Sequence, residues 1–251
     1  MKIPLIISCG RTGTVSLAHW LNSAGFCTTV HEPTGSRTIF LLGKTIPRVA
    51  DWAVHIQALR IKSRGPAGPV LVINPLLGPM LSRDSIKAVY TPMFAIVRDP
   101  ISWAVSMRSF LASTPLLRSM MRHSSVPRPR FSEDIYQKLL ANFPDEDRLF
   151  LEYVAAWYCY SRVLAIHYPK LDLIAYENLF GLNGLEKQKS SLMLAIRLLE
   201  KKLGLKFPTS DLDSTCSRLS SVQHNRSYKH YVPKNGKRIT DLLRTVGANG
   251  L

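Results

Sequence analysis

Seven residues near the start of the chain, Gly10-Arg11-Thr12-Gly13-Thr14-Val15-Ser16, have the composition of an anion cradle. Gly10 and Gly13 permit a tight turn, Thr12, Thr14 and Ser16 offer hydroxyls, and Arg11 adds a fixed positive charge. Set between a strand and a helix N-terminus, such a turn aims backbone N–H groups and the positive end of the helix dipole at a bound anion. The stretch is not a Walker A loop, which needs G-x-x-x-x-G-K-[ST] with a lysine for the β- and γ-phosphates. Gly13 is followed by Thr14-Val15, and no apolar strand ends in an acidic pair that would hold magnesium. A kinase or ATPase is disfavoured on these grounds, and no metal is expected.

Other residues able to do chemistry each follow an apolar run: Glu32 in His31-Glu32-Pro33, Arg98 in Arg98-Asp99-Pro100, and Tyr176. The runs predict strands at Ile3 to Ser8, Cys27 to His31, Val70 to Ile73, Met93 to Val97 and Leu171 to Ala175. Between them, Leu17, Leu21 and Ala24 mark one face of a helix that Gly25 stops. Further helices are expected at Arg48 to Lys62, at Asp84 to Tyr90 and at Asp147 to His167. Asp99-Pro100 reads as an N-cap followed by the first helical position. The alternation predicts an α/β fold, a roughly five-stranded parallel sheet flanked by helices. In such sheets ligands bind beyond the carboxyl ends of the strands. Arg11 to Thr14, Glu32, Arg98 and Tyr176 all fall there.

The bulk composition agrees with an anionic ligand. Among 251 residues, 33 Lys and Arg face 17 Asp and Glu, for a formal charge of +16. This predicts a polyanionic partner, whether nucleotide, nucleic acid, acidic glycan or the surface of an anionic membrane. With 46% hydrophobic residues the chain can bury a large core, which excludes a disordered or disulfide-stapled polypeptide. Cys9, Cys27, Cys159 and Cys216 are scattered without metal-ligand spacing and read as buried thiols. The apolar run before Gly10 is too short for a signal sequence, and no later run would span a bilayer. A reducing, cytoplasmic compartment is expected, with membrane contact, if any, peripheral.

Two of these motifs together resemble a known family. Gly10-Arg11-Thr12-Gly13-Thr14-Val15-Ser16-Leu17 is similar to the 5′-phosphosulfate loop of the P-loop sulfotransferases. Phe94-Ala95-Ile96-Val97-Arg98-Asp99-Pro100, with Ser106 and Phe110 beyond, resembles their 3′-phosphate signature. Tyr176-Glu177-Asn178-Leu179 is similar to the family's Tyr-Glu-Asp-Leu segment, and Lys234-Asn235-Gly236-Lys237 to the basic segment that closes over the nucleotide. Together the likenesses run over nearly the whole chain, nearer the carbohydrate sulfotransferases because of Glu32-Pro33.

The resemblance implies a single three-layer P-loop-type domain over residues 1–251 that transfers a sulfuryl group from 3′-phosphoadenosine 5′-phosphosulfate to an acceptor hydroxyl. The acceptor would be a carbohydrate or glycolipid. It also implies roles. Arg98 and Ser106 would bind the 3′-phosphate, Tyr176 would contact adenine, and Lys234 and Lys237 would cover the nucleotide. Arg11 stands where many relatives have lysine, so its effect would be electrostatic. Val15 replaces a hydroxyl residue, which shifts weight to Thr14 and Ser16.

Glu32 is the first candidate for general base, since Pro33 is expected to hold it extended and a desolvating pocket would raise its pKa. His31 is second, because strand neighbours point to opposite faces and one of the two should enter the cleft. His55 is third. The basic residues between about 113 and 131, including Arg118, Arg122, Arg128 and Arg130, read as a lid that would recruit an acidic acceptor. Two other classes compete. Arg226-Ser227-Tyr228-Lys229-His230-Tyr231 would suit nucleic-acid backbone and base stacking, although no nucleic-acid-binding signature accompanies it. A phosphotransferase with an aberrant loop is the other.

Overall fold

Val70-Leu71-Val72-Ile73 contains no polar residue, and a strand apolar on both faces must be covered on both sides. The computed structural model shows how. It describes residues 2–8, 13–23, 27–36, 38–39, 42, 46–64, 70–112, 130–204, 206, 212–221 and 231–246. The strands are β1 (Ile3–Ser8), β2 (Thr28–His31), β3 (Val70–Ile73), β4 (Tyr90–Val97) and β5 (Leu173–Ala175). They form one parallel sheet in the order β2-β3-β1-β4-β5.

The helices are α1 (Thr14–Ser23), α2 (Pro47–Arg64), α3 (Asp84–Val89), α4 (Pro100–Ala112), α5 (Arg130–Asn142) and α6 (Arg148–His167). They continue with α7 (Tyr176–Leu179), α8 (Leu185–Leu203), α9 (Leu212–Ser221) and α10 (Gly236–Thr245), and a 3-10 turn covers Pro75–Met80.

The period-2 alternation of strand side chains sorts the core into layers. Ile6, Leu71, Ile73, Phe94 and Ile96 pack into one cluster with Leu17 and Leu21 of α1, Leu192 and Ile196 of α8, and Cys216 of α9. The intervening residues Leu5, Ile7, Val72 and Ala95 are just as deeply buried. The sheet is therefore covered on both faces, as a three-layer α/β architecture requires.

β4 is longer than the sequence suggests, beginning at Tyr90 rather than Met93. Its register against β1 slips by one residue: Leu5 faces Pro92 but Ile6 faces Phe94, leaving Met93 as the extra residue of a β-bulge. Pro92, which has no N–H to give a ladder, sits at this irregularity.

The chain divides into two compact units. One comprises Met1–Val97 and Lys170–His224 and contains the sheet; the other comprises Arg98–Pro169 and Asn225–Leu251. In the second unit α6 packs against α4 and α5, with Trp103 and Tyr153 in edge contact at 5.8 Å. Asp147 caps α6 by accepting from the Phe150 amide at 2.9 Å. α5 replaces the end of the expected basic lid with a helix; residues 113–129 lie outside the described part of the chain. Cys27, Cys159 and Cys216 are buried free thiols. No described helix is long and apolar enough to cross a membrane.

Candidate functional site

The chain leaves β1 toward one edge of the sheet and leaves β4 toward the other, so their carboxyl ends flank the topological switch point. Of the expected anion loop, Gly10, Arg11 and Thr12 lie outside the described residues. Gly13 is described, and two features demand glycine there. Its φ is +67°, and a Cβ would lie 2.2 Å from Cζ of Phe180. The Gly13 carbonyl accepts from the Leu17 amide at 3.0 Å, which closes the first turn of α1. That turn carries no acidic residue. Thr14 and Ser16 are buried in it, whereas Val15 points outward and is more than half exposed.

The aromatic ring against Gly13 was not among the residues singled out from sequence. Phe180 also packs against Tyr176, with ring centroids 4.8 Å apart. Tyr176, which opens the one-turn helix α7 after β5, and Phe180, which caps its end, thus stack as a pair that closes on Gly13 through the Phe180 ring. Phe180 had a sequence signal, since it directly follows the Tyr-Glu-Asn-Leu segment.

Thr14 and His31, 17 residues apart in sequence, meet: Thr14 Oγ1 lies 2.9 Å from His31 Nε2. The His31 ring is half-buried at the end of β2. Burial pushes its pKa down, and the adjacent Glu32 charge offsets only part of that effect. A neutral imidazole can accept a hydrogen bond from the Thr14 hydroxyl through Nε2 or donate one to its oxygen, and in the second tautomer Nδ1 is left free to take up a proton.

Glu32 does not adopt the extended conformation expected before Pro33. Its φ is +43°, in the left-handed region, where it is the one non-glycine described residue with positive φ. A non-glycine side chain there costs about 1–2 kcal/mol. What holds it is the ladder on one side and a buried polar cluster on the other. The Glu32 amide donates to the Ile73 carbonyl at 3.0 Å, adding one bond to the β2–β3 pairing. Beyond it, Gln57 Nε2 donates to the carbonyls of Pro33 and Thr34 at 3.2 and 3.1 Å and to Ser36 Oγ at 3.1 Å. Asn74 Nδ2 also donates to Ser36 Oγ, at 2.9 Å, and the Tyr90 hydroxyl donates to Gln57 Oε1 at 3.3 Å. Gln57, Asn74 and Ser36 are all buried. Tertiary anchoring thus overrides the local preference of a residue before proline. Sequence hints existed, since Gln57 interrupts the inner face of α2 and Asn74 directly follows an all-apolar strand.

His55, the third candidate base, is exposed on α2, and its Nδ1 lies 2.9 Å from the Asp51 carbonyl. It is not brought to Thr14 and His31.

In the second unit, Asp99 is the N-cap expected: its Oδ1 accepts from the Ser102 amide at 2.8 Å, and α4 starts at Pro100. The Arg98 carbonyl accepts from Trp157 Nε1 at 2.8 Å, and Ser106 is half-buried on α4. The Lys234 to Lys237 segment is anchored by a residue that sequence reading missed. The buried Glu146 carboxylate accepts from the Lys234 amide at 3.2 Å, from the Asn235 amide at 2.9 Å and from the Tyr231 hydroxyl. Burial alone would raise the Glu146 pKa, but these donors outweigh it and hold the carboxyl below its usual range. The Tyr231 hydroxyl is pushed up to about 12, by burial first and then by its bond to Glu146. Arg108 stacks over the Tyr231 ring at 4.8 Å and donates to Asp147 at 3.0 Å. Tyr231 is therefore engaged within the protein, while residues 226–230 lie outside the described part. The side chains of Lys234 and Lys237 are exposed, and Lys234 Nζ donates to the Asp145 carbonyl at 3.2 Å.

Among the described residues no group of three or more His, Cys, Asp or Glu is placed to hold a metal ion. Comparison with protein-family models, with curated proteins and with solved structures finds no match to this chain.

Proposed function

We propose that this protein is a sulfotransferase that moves a sulfuryl group from 3′-phosphoadenosine 5′-phosphosulfate to a hydroxyl, on a carbohydrate or glycolipid acceptor. The observation that carries the reading is the Thr14–His31 contact at the start of α1, with the strained Glu32 next in sequence. The Thr14 hydroxyl and the His31 ring meet beyond β1 and β2, with Glu32 following in sequence, and ligands of parallel sheets bind beyond the carboxyl ends of the strands. The acid-free first turn of α1 also suits an anion.

In this reading the acceptor oxygen attacks sulfur, the bond from sulfur to the bridging phosphate oxygen breaks, and adenosine 3′,5′-bisphosphate leaves. The α1 N-terminus, Thr14, Ser16 and Arg11 stabilise the charge on the departing phosphate. Glu32 takes the acceptor proton, with His31 the alternative, because a ring kept neutral by its surroundings is ready to accept one. Arg98 and Ser106 serve the 3′-phosphate, and Tyr176 the adenine. These three roles rest on the sequence resemblance.

The test is thermal unfolding with adenosine 3′,5′-bisphosphate beside 5′-AMP, ADP and ATP–magnesium. A ligand at a hundred times its Kd stabilises by about 2.7 kcal/mol. Selective stabilisation by the bisphosphate is the expected outcome. A preference for ATP–magnesium would replace this reading with a phosphotransferase. No response to any of the four would overturn nucleotide binding altogether.

A further inference from the structure

The helix α2 is apolar on two opposite sides. Its inner side buries Ala50, Val54 and Ala58. At 3.6 residues per turn, Val49, Trp52, Ile56 and Leu59 recur at i, i+3, i+7 and i+10 and lie on the other side. There Trp52 is 66% exposed and Leu59 62% exposed, with Val49 exposed and Ile56 half-buried. Scattered apolar residues on a surface need no explanation; a contiguous stripe with a tryptophan at its centre does.

Charge identifies the occupant. Arg48 and Arg60 are exposed on either flank of the stripe. Between Pro47 and Arg64 the sequence has four basic residues, Arg48, Arg60, Lys62 and Arg64, and a single acidic one, Asp51. Asp51 is neutralised inside the protein, where it accepts from Arg83 at 2.7 and 2.5 Å. An exposed apolar stripe with tryptophan, bordered by cations on a chain of charge +16, combines the apolar burial and the charge attraction that draw a protein surface to an anionic bilayer.

We infer that α2 docks this protein peripherally on anionic lipid, with Val49, Trp52, Ile56 and Leu59 in the headgroup–acyl boundary and Arg48 and Arg60 on lipid phosphates. The inference is independent of the chemistry proposed above. It goes beyond net charge by naming the face that binds.

The tryptophans supply the readout. Trp20, Trp103 and Trp157 are buried, so a change in emission on adding lipid reports Trp52. Vesicles of phosphatidylcholine with phosphatidylglycerol should shift the emission to the blue and pellet the protein, while phosphatidylcholine alone should do neither. Replacing Arg48 or Arg60 by Gln should weaken binding about fivefold each. The double substitution W52S/L59S, at exposed positions that leave the circular dichroism spectrum unchanged, should abolish pelleting.

Equal binding to neutral vesicles, or pelleting that survives W52S/L59S, would overturn the assignment, as would absence of binding by the folded protein. Lipid-free dimerisation abolished by W52S/L59S would instead give the face to a second copy of the chain.

Discussion

The turn after β2 and the segment before α10 are both functional candidates held by buried polar groups, but the two anchors differ in charge. The turn is held by neutral groups, Gln57, Asn74 and Ser36, each of which donates to backbone or hydroxyl oxygens or accepts from a hydroxyl. The segment is held by the Glu146 carboxylate, which gathers two backbone amides and a phenol. A buried charge binds its donors more strongly than a neutral amide, and costs more when its partners are lost. The neutral anchor fixes a strained backbone at Glu32, where geometry is at stake. The charged one ties a chain segment to the body of its unit.

The largest effect expected is from Glu146→Ala, which strips the acceptor from four hydrogen bonds, the Asn235 side chain included. Denaturant unfolding should show a loss of about 3 kcal/mol or more, since bonds to a charged group contribute about 1.5–3 kcal/mol each net of exchange with water and do not add in full. A loss no greater than that of a surface substitution would remove the distinction between the anchors.

Gln57→Leu comes next. It removes a donor from the Thr34 carbonyl and the acceptor of the buried Tyr90 hydroxyl, while Pro33 keeps its two bonds from Ser36, and should cost about 1–3 kcal/mol. Activity should fall further than stability accounts for, because Glu32 loses the constraint behind its left-handed backbone; kcat measured on protein shown to be folded decides this.

The pH profile separates the regions by the groups that titrate in them. Glu146 has a folded pKa below its unfolded one, so its contribution is complete above the unfolded carboxylate value of about 4.3. It is lost as the pH falls through the folded value. The folded pKa of His31 is likewise lowered, by burial, so the unfolded state takes up a proton first as the pH falls below about 6.5. Stability referenced to His31→Gln should therefore decline as the pH falls through about 6.5, and stability referenced to Glu146→Gln only at more acidic pH, below about 4.3. Coincident declines would mean that His31 and Glu146 do not lend their regions separate pH ranges.

The smallest effect sharpens the comparison most. Glu32→Gly relieves the left-handed strain and should leave stability unchanged or raise it by about 1 kcal/mol at most, since glycine returns part of the gain as chain entropy. If Glu32 is the base, turnover should nevertheless collapse. Substantial destabilisation in a thermal melt would mean that the carboxylate itself supports the fold.

What could be read from sequence follows where burial is set. β1 at Ile3–Ser8 and β3 at Val70–Ile73 fall where the apolar runs place them, because strands buried on both faces announce themselves. The start of β4 was hidden by Pro92, which reads as a strand breaker and instead sits at a bulge. α5 was hidden beside a basic stretch, although Ile135, Tyr136 and Leu139 are buried on its inner face. At the site, polar residues at strand ends were legible as types. The partners that place them were less so: Glu146 looks in sequence like an ordinary surface residue, and Gln57 and Asn74 betray only a polar interruption of apolar pattern, because their burial is decided by elements far along the chain. The conformation of Glu32 failed to follow its local rule for the same reason.

The extra residue at Met93 acts as a phase setter. A strand alternates sides, so one added residue midway inverts the parity of everything after it. Tyr90 and Pro92 keep step with Ile3 and Leu5, whereas Phe94 and Ile96 keep step with Ile6 and Ser8. Deleting Met93 would leave a plausible strand of nearly the same composition, yet exchange one covered face of the sheet for the other along its second half. Length at this point is therefore more tightly constrained than residue identity: substitutions of similar size should be tolerated, and single-residue insertions or deletions should not.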